Sequence, residues 1–222
     1  MPNGSKFAYG YDENDTVTSI TQSTEEGEEN STHTRYTCGE VTELVSGNNV
    51  VRYAYDGKRR LTQVYLNDLE SVYLQNTYTD DMTEVGITGT VDKCVSTNAN
   101  NESVTSYTDK QGKLRRVTTA GKNIDYGYNG KGETTSVADG VSGKTENYTY
   151  NDTYDRLTNY TRKLGEMTEY TEAYAYDEYG KVKSVTQSGA AARTYTYVYK
   201  ENAGHDLASI STGNLQILAA DG

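Results

Sequence analysis

The sequence predicts an all-β fold of tandem β-hairpins, about nine units of about 23 residues laid side by side in a long, curved or spiralling antiparallel sheet. Three observations predict it. A Tyr-x-Tyr pair followed by Asp or Asn returns along the whole chain. Each pair is followed by turn residues and then by a β-branched stretch. No apolar stripe of helical period interrupts the pattern, and no proline follows Pro2.

The good repeats begin at Tyr9-Gly10-Tyr11-Asp12, Tyr53-Ala54-Tyr55-Asp56, Tyr126-Gly127-Tyr128-Asn129, Tyr148-Thr149-Tyr150-Asn151 and Tyr174-Ala175-Tyr176-Asp177. Degraded ones are anchored at Tyr36, Tyr78, Tyr107 and the Tyr197-Val198-Tyr199 pair. Side chains alternate along a strand, so Tyr-x-Tyr puts both rings on one face. The Asp or Asn next in line bonds its own backbone and tolerates positive φ, as glycine does at Gly180, and this marks a hairpin turn. A second strand follows, for example Val182-Lys183-Ser184-Val185, and then a polar segment leads to the next pair. Leu61 and Val64, like Val182 and Val185, stand three apart. An unbroken strand would point them to opposite faces, so either both faces pack or a bulge intervenes. The repeats span about residues 6–210 of a single domain over 1–222, with 211–222 as a tail. A turn or two of helix is expected within Asn214 to Ala220, the one place where helix is expected at all.

Composition narrows the function. Of 222 residues, 32 are acidic and 21 basic, a net charge of −11 that disfavours nucleic acid and anionic membranes as partners. The chain has 22 Tyr, one Phe and no Trp, so its bulky apolar surface almost always carries a hydroxyl. The run Ile217-Leu218-Ala219-Ala220 is far short of the ~20 residues a membrane helix needs. The opening residues contain no apolar signal core, so an export signal would lie outside this sequence. Cys38 and Cys94 make one bridge or none, and leave the compartment open.

Motifs with chemical content resolve mostly into turns. Ala138-Asp139-Gly140-Val141-Ser142-Gly143-Lys144-Thr145 matches a phosphate loop loosely, but it lies between two strands where that chemistry needs a helix N-terminus. The acidic groups around Asp12, Glu25 and Asp80 lack the ligand spacing of a calcium loop and read as solvated turn carboxylates. His33 and His205, the only imidazoles, have no companions for a triad or a zinc site, so no catalytic residue, metal site or cofactor is assigned. Asn-x-Ser/Thr sequons at Asn14, Asn30, Asn101, Asn147, Asn151 and Asn159 follow from a Thr-rich composition. The residues singled out are a structural ladder, Tyr9, Tyr11, Tyr53, Tyr55, Tyr126, Tyr128, Tyr148, Tyr150, Tyr174, Tyr176, Tyr197 and Tyr199, and the turn residues Asp12, Asp56, Asn129, Asn151, Asp177 and Gly180. Exposed rings beside carboxylates also hold sugars or peptides, which keeps a ligand reading open beside the structural one.

Tyr55-Asp56-Gly57-Lys58-Arg59-Arg60-Leu61-Thr62, Tyr154-Asp155-Arg156-Leu157-Thr158 and Tyr176-Asp177-Glu178-Tyr179-Gly180-Lys181-Val182 resemble the tyrosine-aspartate repeat of the Rhs/YD-repeat family. That family includes bacterial polymorphic toxins, Tc toxin cocoons and the teneurins. The resemblance implies an open strip of a sheet that in the family spirals into a hollow shell, and a secreted or cell-surface location. It implies a non-enzymatic structural module that belongs to a shell or stalk and encloses or presents a toxin. Its partners would be the rest of a parent YD-repeat protein or a toxin cargo. The family's Asp-Pro self-cleavage signature has no counterpart here, since no proline follows Pro2. The alternative is an adhesion module that binds carbohydrate or a protein through a Tyr-rich face. Unpaired edge strands add an expectation of edge-to-edge self-association.

Overall fold

The computed structural model describes residues 6–24, 27–67, 71–151, 153–190, 192–200, 206–213 and 215–219. These residues form strands joined by turns, with no helix among them, as the repeat predicts. The chain divides into two compact units, residues 1–113 and 114–222.

The first unit holds β1 (Lys6–Tyr11), β2 (Val17–Thr24), β3 (Gly27–Thr37), β4 (Glu40–Ser46), β5 (Asn49–Tyr55), β6 (Leu61–Leu66), β7 (Val72–Thr83), β8 (Thr90–Asn98) and β9 (Ser103–Thr108). The second holds β10 (Leu114–Thr119), β11 (Lys122–Tyr128), β12 (Thr134–Asp139), β13 (Lys144–Tyr150), β14 (Leu157–Leu164), β15 (Met167–Tyr176), β16 (Val182–Gly189), β17 (Arg193–Tyr199), β18 (Leu207–Thr212) and β19 (Leu215–Ala219). Within each unit every strand pairs antiparallel with the next. Tyr11, Tyr55, Tyr128, Tyr150, Tyr176 and Tyr199 end the first strand of their hairpins and Tyr36 and Tyr107 stand one residue before the end, whereas Tyr78 lies within β7.

A bulge answers the three-residue spacing. Tyr53 lies opposite Val64 and Ala54 opposite Gln63, but Tyr55 lies opposite Leu61, so Thr62 is the extra residue. Directly opposed residues share a face, and the bulge therefore brings Leu61 and Val64 to the same side as the tyrosine pair. The same shift places Ile20 and Val17 opposite Tyr9 and Tyr11, Val185 and Val182 opposite Tyr174 and Tyr176, and Ile210 and Leu207 opposite Tyr197 and Tyr199. Each of these four hairpins thus presents four bulky side chains on one face, while the opposed residues between them, Gly10 and Ser19, Ala54 and Gln63, Ala175 and Ser184, and Val198 and Ser209, take the other.

The loops repeat as closely as the strands. Asp56 Oδ1 accepts the backbone N–H groups of Lys58 and Arg60, while the Arg59 N–H donates to the Asp56 carbonyl. Asp12, Asn98, Asp109, Asn129 and Asp177 accept the matching pair of amides in their own loops. Asn151, whose loop is one residue longer, accepts from Tyr154. The Oδ1 oxygen carried on Cγ fits this site whether carboxylate or amide, which explains the exchange of Asp for Asn. The segment resembling a phosphate loop is a turn of the same kind, with Asp139 Oδ1 accepting from Val141 and Ser142.

Burial is confined to Val64, Val91, Tyr107 and Val185 among the described residues, and of these Val91 is fully buried. Val64 and Val185 face the first tyrosine of their hairpins. Val91 faces Met82 in β7–β8, whose strands run past the level where other hairpins turn. One expectation changes. The tail forms β19 where a helical turn was expected, because Leu215 to Leu218 complete the exposed edge of β18 and ladder pairing outweighs any helical tendency of so short a run. Cys38 is exposed, Cys94 is half-buried, and both are free. His205 and the acidic residues Glu25 and Glu26 lie outside the described residues.

The fourth loop residue has positive φ, +83° at Gly180 and +64° at Arg59. A β-carbon on Gly180 would also run into the Arg156 guanidinium, whereas one on Gly57 would meet nothing within 4 Å. Gly180→Ala is expected to lose about 1–3 kcal/mol of stability and Gly57→Ala none, measured by urea unfolding.

Candidate functional site

Within each unit the strand registers carry all the ladder tyrosines to one face. Tyr126 opposes Val137, which opposes Glu146, two residues from Tyr148; Tyr148 opposes Tyr160, which opposes Glu172, two residues from Tyr174. Tyr174 opposes Val185, which opposes Tyr195, two residues from Tyr197. In the first unit Tyr9, Tyr11, Tyr53 and Tyr55 share a face by the same reasoning.

The two members of a pair do different things. The second phenol reaches the preceding hairpin and donates to a carbonyl at the start of its second strand, on the first residue, or on the second in β4. Tyr55 donates to Val41 at 2.8 Å, Tyr78 to Leu61 at 2.9 Å and Tyr128 to Leu114 at 2.9 Å. Tyr150 donates to Thr134 at 2.9 Å, Tyr176 to Leu157 at 2.6 Å and Tyr199 to Val182 at 3.0 Å. Phenylalanine would fill the same volume without that bond, which favours tyrosine at these six positions. Tyr11 stands on β1, the first described strand, and is 58% exposed.

A cation covers several of these rings. The last loop residue of one hairpin sits over the second tyrosine of the next: Arg60 over Tyr78 at 4.2 Å, Arg156 over Tyr176 at 5.5 Å and Lys181 over Tyr199 at 5.1 Å. The loops are tied as well. Lys58 and Arg60 reach Asp80, Arg59 reaches Glu40, Lys131 reaches Asp155 and Lys110 reaches Asp81 and Asp92. These pairs are part-exposed and each contributes little alone. Backbone N–H donors, chiefly from Thr16 and Arg60, hold the Asp12 and Asp56 carboxyls below their usual range.

The first tyrosines and their neighbours meet carboxylates. Tyr148 donates to Glu146 at 2.7 Å. Glu172 accepts from Tyr170, Tyr174 and Gln187. Burial opposes ionisation of Glu172, yet these donors together keep it below the usual glutamate value. Burial and then the Glu172 carboxylate push Tyr170 up to about 12, and the same pair of causes raises Tyr174. Burial is also the first cause of the raised phenols of Tyr55, Tyr78, Tyr150 and Tyr199.

A recess of about 750 Å³ lies at the loop end of the last hairpins, lined by Tyr176, Asp177, Tyr179, Lys183, Tyr197 and Tyr199 among others. No group of three or more His, Cys, Asp or Glu side chains suited to a metal ion occurs among the described residues. His33 is engaged by Thr21 at 2.7 Å and receives a long contact from Arg35. Sequence reasoning singled out the twelve ladder residues but missed Tyr78 as the equal of Tyr55, the capping Arg60, Arg156 and Lys181, and the carboxylates Glu146 and Glu172. A basic residue 18 to 20 positions before each second tyrosine was the signal available.

No protein-family model matches the sequence, and no curated protein matches it. Among solved structures, the crystal structure of TcdB2-TccC3-Cdc42 is similar in fold, with a TM-score of 0.57 at 13% identity over 90% of this chain and 14% of that one. A structure of TcdB2-TccC3-TEV aligns over 92% of this chain and 14% of that one, with a TM-score of 0.44 at 13% identity. A porin-like protein from Bacteroides uniformis ATCC 8492 aligns over 92% of this chain and 79% of that one, with a TM-score of 0.21 at 10% identity. The likeness in fold rests on the first of these.

Replacing one second tyrosine by phenylalanine, for example Tyr55→Phe, is expected to cost about 1–2 kcal/mol in urea unfolding, with the spectrum of the folded sheet unchanged. A phenol with a raised pKa holds its proton more tightly folded than unfolded, so its contribution is complete below the ordinary value of about 10 and is lost above it. Stability measured against pH is therefore expected to hold to about pH 10 and to decline toward the value of about 12 reached by Tyr170.

Proposed function

We propose that the chain is a non-enzymatic structural repeat module, part of a secreted or cell-surface shell or stalk of the YD-repeat kind that encloses or presents a toxin. The observation that carries this reading is the fate of the second phenols: in Tyr55, Tyr78, Tyr128, Tyr150, Tyr176 and Tyr199 the polar end is consumed by the neighbouring hairpin. Side chains committed to their own neighbours build an extended wall and leave little for a reacting substrate. The fold likeness to TcdB2-TccC3, a Tc toxin assembly, supports the same reading, although this chain spans only 14% of that one. In this reading the ladder tyrosines and the turn residues Asp12, Asp56, Asn129, Asn151, Asp177 and Gly180 act in stability, and the partners are further repeats or the cargo.

One observation favours a second reading, adhesion to carbohydrate. The recess beside the last hairpins combines the rings of Tyr176, Tyr197 and Tyr199 with Tyr179, which is 61% exposed, and with the polar Asp177 and Lys183. Aromatic faces beside such groups suit a sugar ring. A glycan array read alongside melting of Tyr179→Ala separates the two. The structural module is expected to bind no glycan and to melt within about 0.5 kcal/mol of the parent, as an exposed substitution does. A glycan bound by the parent and lost in Tyr179→Ala, with melting unchanged, would establish adhesion instead.

The edges generate a further expectation. Leu215 at 66% and Ile217 at 52% exposure line β19, which pairs with β18, and Tyr9 at 53% lines β1, which pairs with β2, so the end strands among the described residues carry exposed apolar side chains. Light scattering is expected to show concentration-dependent association. A strictly monomeric chain at roughly millimolar concentration would contradict pairable edges.

A further inference from the structure

Tyr148 on β13 and Tyr160 on β14 are directly opposed across the strand pair, with ring centroids 5.3 Å apart and planes inclined by 43°. The backbone register holds them there, since residues on either side, Asn147 with Thr161 and Thr149 with Asn159, pair without a break. Other tyrosine contacts are looser: Tyr160 and Tyr170 meet edge-on at 6.2 Å, and Tyr9 and Tyr11 are neighbours on one strand at 6.5 Å. The Glu146 carboxylate accepts the Tyr148 hydroxyl at 2.7 Å and lies against the Tyr160 phenol as well. A base is therefore placed beside both rings. Residues 114–222 contain no Cys and no Trp, the side chains that would otherwise compete for oxidising equivalents.

We propose that Tyr148 and Tyr160 form a site of oxidative cross-linking, joined as dityrosine by a one-electron oxidant of the peroxidase class acting with hydrogen peroxide. Each phenol gives up one electron to the oxidant and its hydroxyl proton to the neighbouring carboxylate, from which it passes to solvent. The two phenoxyl radicals join through ring carbons ortho to oxygen. The hydrogens on those carbons then return as protons to the two oxygens, restoring both phenols. In sum, two phenols and one hydrogen peroxide give one dityrosine and two waters, and the protein loses two hydrogens. The new carbon–carbon bond fixes β13 on β14 at one register and resists the strand slippage to which a polar, Thr-rich hairpin is prone.

The test treats the full chain with a haem peroxidase and limiting hydrogen peroxide, then reads dityrosine fluorescence and maps linked peptides by mass spectrometry. The expected product is a chain, still monomeric in mass, whose peptides bearing Tyr148 and Tyr160 are joined and lighter by two hydrogens. Tyr160→Phe and Tyr148→Phe keep the rings in place and should each lower the intramolecular signal at least tenfold, while Tyr170→Phe keeps it. Glu146→Gln, with the sheet's circular dichroism unchanged, should slow the coupling several-fold. Linkage of other tyrosines, linkage only between chains, no dityrosine at all, or a yield unaffected by Tyr160→Phe would each overturn the proposal.

Discussion

The structure depends on a bulge and on the phenol that answers it. Hairpins such as β5–β6, β15–β16 and β17–β18 place two apolar residues three positions apart on the same face as the tyrosine pair, and one extra residue, such as Thr62, accomplishes this. A bulge interrupts the ladder beside it and leaves a carbonyl short of a partner. The carbonyl of Leu61 is reached by Tyr78, that of Leu157 by Tyr176 and that of Val182 by Tyr199, always from the following hairpin. The device that gives one hairpin its apolar face therefore creates the need for the next. Nearest-neighbour coupling of this kind is what holds repeat architectures together when each unit is too thin to bury a core of its own.

Burial alone would not hold these sheets. Val64, Val91, Tyr107 and Val185 are the buried apolar residues among those described, and most other large side chains stay part-exposed. Tyrosine suits this condition because its ring packs while its hydroxyl bonds, and a cation from the preceding loop closes over the outer side of Tyr78, Tyr176 and Tyr199. The loops contribute pre-organisation. Their Asp and Asn side chains capture two backbone amides each, so the turn is set by its own first residue. Pairs such as Lys58 with Asp80 and Lys131 with Asp155 then align successive loops and offset part of the repulsion in a chain of net charge −11.

Much of this was legible in the sequence. The Tyr-x-Tyr-Asp recurrence gave the strands, the turns and the side of the sheet each ring occupies, because period-two alternation and Asx chemistry are local rules. The three-residue spacing announced a bulge but could not choose it over a sheet packed on both faces, since that choice depends on which strand is opposite. The partner of each hydroxyl was hidden for the same reason: a carbonyl has no sequence identity, and Tyr78, without a first tyrosine before it, looked degraded although its bond to Leu61 matches the others. The tail misled because Leu215 to Leu218 is an apolar run without period. Only the open edge of β18 decides that it extends as a strand. The carboxylates Glu146 and Glu172 gave no signal, since their roles come from rings on neighbouring strands.

The most direct measurement of the account compares two chains in urea unfolding, each with six tyrosines changed to phenylalanine. One carries the changes at Tyr55, Tyr78, Tyr128, Tyr150, Tyr176 and Tyr199, and the other at Tyr9, Tyr11, Tyr53, Tyr73, Tyr126 and Tyr197. Both lose the same six oxygen atoms, but only the first loses the bonds between hairpins. The account predicts that the first chain is destabilised by roughly 5 kcal/mol or more, or fails to fold, while the second stays within about 1–2 kcal/mol of the parent. Equal stability of the two chains would contradict it.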